Sequence, residues 1–455
     1  MRVPLIERQI GIEAFTTKTM GIGGVIKEKL EDFVVEEVLV DGSKASVNTA
    51  SLPQVTGEGR YLHCFLVKRS WDTLLAIREI SKQLGINSQR MQIVGLKDKK
   101  AITSQHLSIE NIRVEKLRNM RAQSGNLRII PNHYSQNMLF PHMLFGNSFT
   151  IRIRNVNHSA ATTADRISET MNRLLDLGGT PNFFGHQRFG TIRPITHSVG
   201  KAIIRNDLET AVQEFVAKPS PNENPESRKA RQKLFETGDF KEALNFFPKW
   251  LLYERLILSH LAKNPRDYKG AFRKLPKQLC RLFVQGYQSY LYNRFLSQRL
   301  NKEIPINQPQ IGDYVSRIDR HGLPTRTHVK TNGNNLENLE KEVKNGKMCV
   351  ALPLIGFKQP LSEGVEGTIE ESILREEKIS QVNFHISSLP ELSSAGRLRA
   401  TITSILNSHI GKPARDESNF RRKKIRIHFI LHRGSYATIV LREFMKPRNP
   451  IKAGF

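Results

Sequence analysis

KKIRIHFILHR, residues 423–433, decides the fold class, because Ile425, Ile427, Phe429 and Leu431 alternate with Lys424, Arg426, His428 and His432. A period of two over that length belongs to a β-strand with one buried face and one basic face. SFTIRIRNV at 148–156 repeats the pattern, setting Ile151 and Ile153 against Arg152 and Arg154, and GRLRATITSI at 396–405 reads the same way. Working outward, FVVEEVLV at 33–40 and YLHCFLVK at 61–68 are rich in β-branched and aromatic residues, and short strands follow at MQIVG and QHLSI. The intervening WDTLLAIREISKQL reads as a helix capped by Ser70 and stopped by Gly85, with Leu74, Leu75, Ile77 and Ile80 near one face. A second helix is expected over 160–177, ended by Gly178 and Gly179. Between 196 and 350 the period changes to a helical one over 197–217, 226–262 and 276–300, with a polar loop at 327–338. The fold class is therefore α+β: a mixed sheet with packed helices over 1–195 and 351–455, interrupted by a mostly helical insertion over 196–350.

The chain of 455 residues carries 70 Lys plus Arg against 43 Asp plus Glu, a formal charge of +27. An excess of that size points to a polyanionic partner. It is concentrated: residues 395–448 hold 13 basic residues against 3 acidic ones. Three strands with basic alternate faces can form one phosphate-tracking surface. No basic amphipathic helix stands out for a lipid surface, so nucleic acid is the favoured partner. Cys64, Cys280 and Cys349 are too few and too scattered for a disulfide framework or a zinc site, which fits a reducing compartment. Neither a signal peptide nor a run of eighteen apolar residues is present, so a cytoplasmic protein without a membrane anchor is expected.

Two loops carry chemistry. In GLKDKKA at 95–101, Asp98 is the single acid among Lys97, Lys99 and Lys100. Their charge favours a carboxylate that acts as a nucleophile or electrostatic stabiliser, while a solvated turn aspartate is the plain alternative. PNFFGHQRFG at 181–190 packs three phenylalanines and Arg188 into ten residues. Phe183, Phe184 and Phe189 include at least two core plugs, and one ring is available to stack on an extruded base. Asn182 offers a donor and an acceptor, as reading the edge of a uracil requires, and Tyr436 is a further stacking candidate. There is no GxGxxG, no GxxxxGK[ST] and no HExxH, so no nucleotide cofactor and no metal are expected. RRKK at 421–424 is either a phosphate patch, a localisation signal or a solvated loop.

IVGLKDKKAITSQ at 93–105, PNFFGHQRFG at 181–190 and RGSYATIVLREFMK at 433–446, in that order, resemble the TruD family of pseudouridine synthases. KEKLEDFVVEE at 27–37, GNSFTIRIR at 146–154 and QGYQSYLYNRFL at 285–296 extend the resemblance over nearly the whole chain. The resemblance implies a pseudouridine-synthase catalytic core interrupted by a TRUD insertion domain. It implies isomerisation of uridine in transfer RNA, at position 13 of the D-arm, with no cofactor; a monomer is expected, although the sequence itself leaves the oligomeric state open. It places the catalytic aspartate on Asp98 and substrate-binding residues on Lys27, Asn182 and Phe184, with Gln105, Arg188 and Glu443 as structural support. SQNMLFPHMLF at 135–145 departs from the family by being apolar where basic residues are expected, which puts a phosphate contact there in doubt. A non-catalytic RNA-binding or assembly factor on the same scaffold would keep the basic face and tolerate loss of Asp98. A nucleosidase would need a second carboxyl beside Asp98, and the motif has none.

Overall fold

The computed structural model describes residues 2–48, 55–118 and 126–455. Alternation in the sequence becomes a central sheet whose seven main strands are β1 (Phe33–Leu39), β2 (Tyr61–Arg69), β3 (Ile102–Glu110), β4 (Leu127–Ser135), β5 (Leu144–Val156), β6 (Leu406–Ile410) and β7 (Lys423–His432). Their order is β6-β7-β5-β1-β3-β2-β4, with β1 and β3 parallel and every other neighbour antiparallel. Pairing of Phe33 with Ile151 and of Ile151 with Ile427 puts the apolar residues of three strands on one face.

Helices cover that face. α1 (Thr73–Leu84) lies over β2 and β3, burying Ala76, Ile77, Ile80 and Leu84 against Leu66 and Leu107. Its cap is Asp72, whose Oδ1 accepts from the N–H groups of Leu74 and Leu75, and not Ser70, which sits at φ +58° in the turn before it. Leu74 and Leu75 are consequently exposed in the first turn. α2 (Ala160–Asp176) is capped by Ser159 and buries Ile167, Met171 and Leu174 at helical spacing. The helix at the C-terminal end of β7, Ala437–Met445, packs Val440, Leu441 and Phe444 into the same layer.

The basic alternate residues of β5 and β7 lie on the reverse face, so the phosphate-tracking surface expected from them faces away from the helical layer. One of them is not solvated at all. Arg154 is 1% exposed, with Nε 2.8 Å from both oxygens of Asp32, Nη1 2.8 Å from Asp416 and Nη2 2.9 Å from Glu417. Asp32 and Asp416 are themselves fully buried, so the guanidinium is what makes their burial tolerable. Arg154→Met is expected to lower the unfolding free energy by about 3–5 kcal/mol, read as a lower urea midpoint, because buried Asp416 loses its counter-charge and Asp32 keeps only the Arg152 contact at 3.3 Å.

Residues beyond 196 are largely helical and centre on the 25-residue helix Lys277–Asn301, with Tyr287, Leu291, Tyr292, Phe295 and Leu296 buried. This region carries its own four-stranded sheet, ordered Arg397–Ala400, Met348–Leu354, Tyr314–Ile318, Pro324–Lys330. Two expectations change here. The polar stretch at 327–338 begins as an edge strand, and the boundary expected at 350 falls inside Met348–Leu354. Because Arg397–Ala400 completes this sheet and Gly364–Glu376 packs on the long helix, the unit as packed runs on to about residue 400. GRLRATITSI thus supplies two short strands to two small sheets and none to the central one.

Candidate active site

GLKDKKA becomes the loop between the short strand Met91–Ile93 and β3, and it lies at the edge of the apolar face. Lys68 at the end of β2 holds it. This side chain is fully buried, and its ammonium donates to the carbonyls of Trp71 at 2.9 Å, Lys97 at 3.3 Å and Asp98 at 2.9 Å. Three protons meet three acceptors, so the cation is satisfied without a carboxylate partner. Burial drives its pKa down to about 8 against the opposing pull of the Asp98 and Asp72 carboxylates. From the other side, Gln105 Nε2 donates to the Gly95 carbonyl at 3.1 Å. Val94, just before the loop, packs with Leu39, Leu139 and Leu144. Leu139 and Leu144 of the 135–145 stretch therefore plug the space beneath the loop, while Phe140 is exposed.

The lysines next to Asp98 in sequence do not serve it as expected. Lys97 turns away to Glu37, which is fully buried and also accepts from the His106 N–H at 2.8 Å. Burial opposes ionisation of Glu37, yet the His106 hydrogen bond and the Lys97 charge hold its pKa below the ordinary value. Lys99 and Lys100 are exposed. The cation facing Asp98 is Lys27, with Nζ 3.7 Å from Asp98 Oδ2 and 4.4 Å from the Phe33 ring centroid. Lys27 occupies the left-handed region at φ +59°, an uncommon conformation for this residue type that tends to gather at functional sites.

Asp98, 38% exposed, opens onto a cavity of about 270 Å³ walled by Phe33, Val35, Asn147, Phe149, Gln187 and Tyr436. Tyr436 and Thr438 belong to the N-terminal end of the helix Ala437–Met445, whose positive pole adds to the field around the carboxylate. Asn147 Oδ1, in this wall, finds no hydrogen-bond donor among the described residues. Gly185 lets the 181–190 loop close on the wall: a Cβ there would lie 2.9 Å from Thr438 Oγ1 and 3.0 Å from the Tyr436 ring.

Behind Tyr436 the loop builds a second layer. Phe183 and Phe189 are fully buried core plugs, as expected of two of the three rings. Phe184 is also buried, with Tyr436 6.1 Å and Tyr292 5.6 Å away between centroids and the Arg399 guanidinium 4.0 Å over its face. Asn182 Nδ2 donates to the Ala400 carbonyl at 3.0 Å, while its Oδ1 accepts from Arg399 Nη2 at 2.6 Å. The structure thus brings Lys27 to Asp98, and sets Asn182 and Phe184 one layer back with both amide groups of Asn182 occupied. The supporting motif residues also find partners. Asn293 accepts the Phe184 N–H at 2.8 Å, Arg188 donates to Ser289 and Gln285, and buried Glu443 accepts from Thr17 and Arg442. Lys68, Arg399, Gln187 and Asn147 escaped the sequence reading. Asn147, in GNSFTIRIR, and Gln187, in PNFFGHQRFG, lay within motifs but had no role assigned from sequence.

Phe184→Ala removes the ring that backs Tyr436 and Arg399. We expect kcat/KM to fall on the order of ten- to a hundredfold while RNA affinity changes less than threefold, as read by single-turnover kinetics beside filter binding.

Among the described residues no helix is long and apolar enough to cross a membrane, and no cluster of His, Cys, Asp and Glu is arranged to hold a metal ion. The family model for tRNA pseudouridine synthase D (TruD) matches residues 9–444. A Methanosarcina barkeri protein described as "Probable tRNA pseudouridine synthase D" is 38% identical over 98% of this chain and 98% of its own length. An Archaeoglobus fulgidus protein of the same description is 36% identical over 97% of this chain and 99% of its own. The crystal structure of a Methanosarcina mazei protein described as TruD superposes with a TM-score of 0.83 at 37% identity, covering 99% of this chain and 100% of that one. Motif order, fold and full-length similarity agree, and the chain belongs to the tRNA pseudouridine synthase D family.

Proposed function

We propose that this chain isomerises uridine in transfer RNA to pseudouridine, at position 13 of the D-arm, with Asp98 as the catalytic carboxylate. The observation that carries the reading is Asp98 itself: a half-exposed carboxylate in the family's GLKD motif, faced by Lys27 and opening onto a cavity that admits one base and its sugar. A base reaches such a cavity only by leaving its stack, at a cost of a few kcal/mol that contacts to the base and to phosphates offset.

Asp98 initiates cleavage of the N1–C1′ bond. The freed uracil turns within the cavity, C5 bonds to C1′, and C5 gives up its proton while N1 gains one, so composition is unchanged. Lys27 supplies the charge opposite the carboxylate, and Tyr436 and Phe149 flank the base. Phe184 and Asn182 serve the substrate side by holding Tyr436 and Arg399. The reaction asks for no metal or nucleotide cofactor. A tRNA substrate supports a cytoplasmic location.

Release of tritium from transfer RNA labelled at uridine C5 tests the reading. One equivalent per tRNA is expected with wild type; free uracil or nucleoside in place of retained RNA would instead mark a nucleosidase.

A further inference from the structure

GKPARDESNFRRKK at 411–424 joins β6 to β7 at the edge of the central sheet, and nothing in the catalytic reading uses it. It holds six cations and two carboxylates. Both carboxylates are paired within the protein, Asp416 in the interior and Glu417 at the surface. Asp416 is fully buried, accepting from Arg154 Nη1 and from the Asn155 N–H, each at 2.8 Å. Glu417 pairs with Arg154 Nη2 at 2.9 Å and with Lys424. Apart from the paired Glu417, the outward charge is positive: Lys412, Arg415 and Arg421 are exposed, and Arg422 and Lys423 half-buried.

The segment is also preorganised. Ala414–Arg415 pairs with Lys423 and Lys424, and backbone hydrogen bonds link Asp416, Asn419 and Arg422. At its tip Phe420 is 66% exposed, with the Arg415 guanidinium 4.9 Å over its ring. A rigid tongue of like charges repels itself, and a polyanion relieves that repulsion. The tongue stands at the start of β7, while Gly434–Tyr436, just past its end, wall the Asp98 cavity. Ten residues at about 3.3 Å each separate the two by roughly 33 Å.

We propose that the 411–424 tongue is a second RNA-docking surface, binding the phosphate backbone of the substrate about one strand length from the reacting uridine. The inference rests on the proposed RNA-modifying activity and names a contact that the catalytic pocket does not supply. Charge complementarity with phosphates favours RNA. A lone phenylalanine offers too little apolar surface to anchor the tongue in a bilayer.

The test uses the full chain with Lys412→Gln, Arg415→Gln and Arg421→Gln combined, three exposed positions outside the catalytic machinery. Affinity for full-length unmodified tRNA is measured against salt, alongside single-turnover conversion of that tRNA and of a short stem-loop carrying the target uridine. The salt slope should fall by about two to three and affinity on the order of tenfold at physiological salt. Conversion at saturating tRNA and conversion of the stem-loop should be unchanged. Phe420→Ala should weaken binding with no change of slope, as loss of stacking rather than charge predicts. An unchanged slope in an active triple variant overturns the docking surface and leaves the catalytic reading intact. A reduced slope in a protein whose wild type forms no pseudouridine supports the surface and removes the catalytic reading. Loss of binding to phosphatidylserine vesicles with the RNA slope unchanged assigns the tongue to a membrane and overturns the proposal.

Discussion

Asp98→Asn is expected to lose at least about a thousandfold in pseudouridine formation, or about 4 kcal/mol of transition-state stabilisation, while tRNA affinity stays within about twofold. The substitution keeps the shape of the side chain and removes its charge. The loop should stay in place, because Lys68 and Gln105 grip its backbone carbonyls and not the Asp98 carboxylate. Lys27 is left without its counter-ion, at a position 12% exposed, which costs little folding energy because the cation still reaches the Phe33 ring and water. Single-turnover kinetics at saturating RNA separate this from a binding defect: a variant that binds normally and turns over normally would remove Asp98 from the chemistry.

Lys68→Met is expected to lower kcat on the order of a hundredfold with a small change in KM, because the loop carbonyls that the ammonium gathers are released and Asp98 loses its fixed place. The pH dependence distinguishes this from general loosening. The native pKa of Lys68 is near 8, below the ordinary lysine value of 10.5, so the folded protein sheds this proton before the unfolded chain does. Between those values the unfolded state binds more protons, and the Lys68 contribution to stability rises with pH, the cost of burying the cation being full below pH 8. Activity should move the opposite way, with an alkaline limb near pH 8 as the clamp discharges. Lys68→Met should lack that limb, and Lys68→Arg should carry it to higher pH. Parallel profiles in all three proteins would reduce Lys68 to a packing residue.

Alternation in β5 and β7 was legible because one face of each strand is buried, and the period of two survives in composition. The same alternation misled about function. It groups Arg154 with Arg152 and Arg426 as surface charge, while Asp32 and Asp416, far away in sequence, draw Arg154 into the interior. It also says nothing of which face carries the helices, and the cavity opened on the apolar side. Asp98 was legible through its motif, but its counter-ion was not legible from neighbours: Lys97, adjacent in sequence, is committed to Glu37, and Lys27, seventy-one residues away, faces the carboxylate. Lys68 left no trace because its partners are carbonyls, which every residue possesses. Strand pairing between Met348–Leu354 and Arg397–Ala400 was illegible for a related reason: it is non-local and leaves no break in composition at residue 400.

The central claim is that Asp98 converts one uridine of transfer RNA. Chemical labelling of pseudouridine followed by reverse transcription, on unmodified tRNA incubated with wild type and with Asp98→Asn, tests it most directly. The account predicts a stop at the D-arm uridine with wild type alone. A stop with both proteins, or with neither while both bind the RNA, would contradict it.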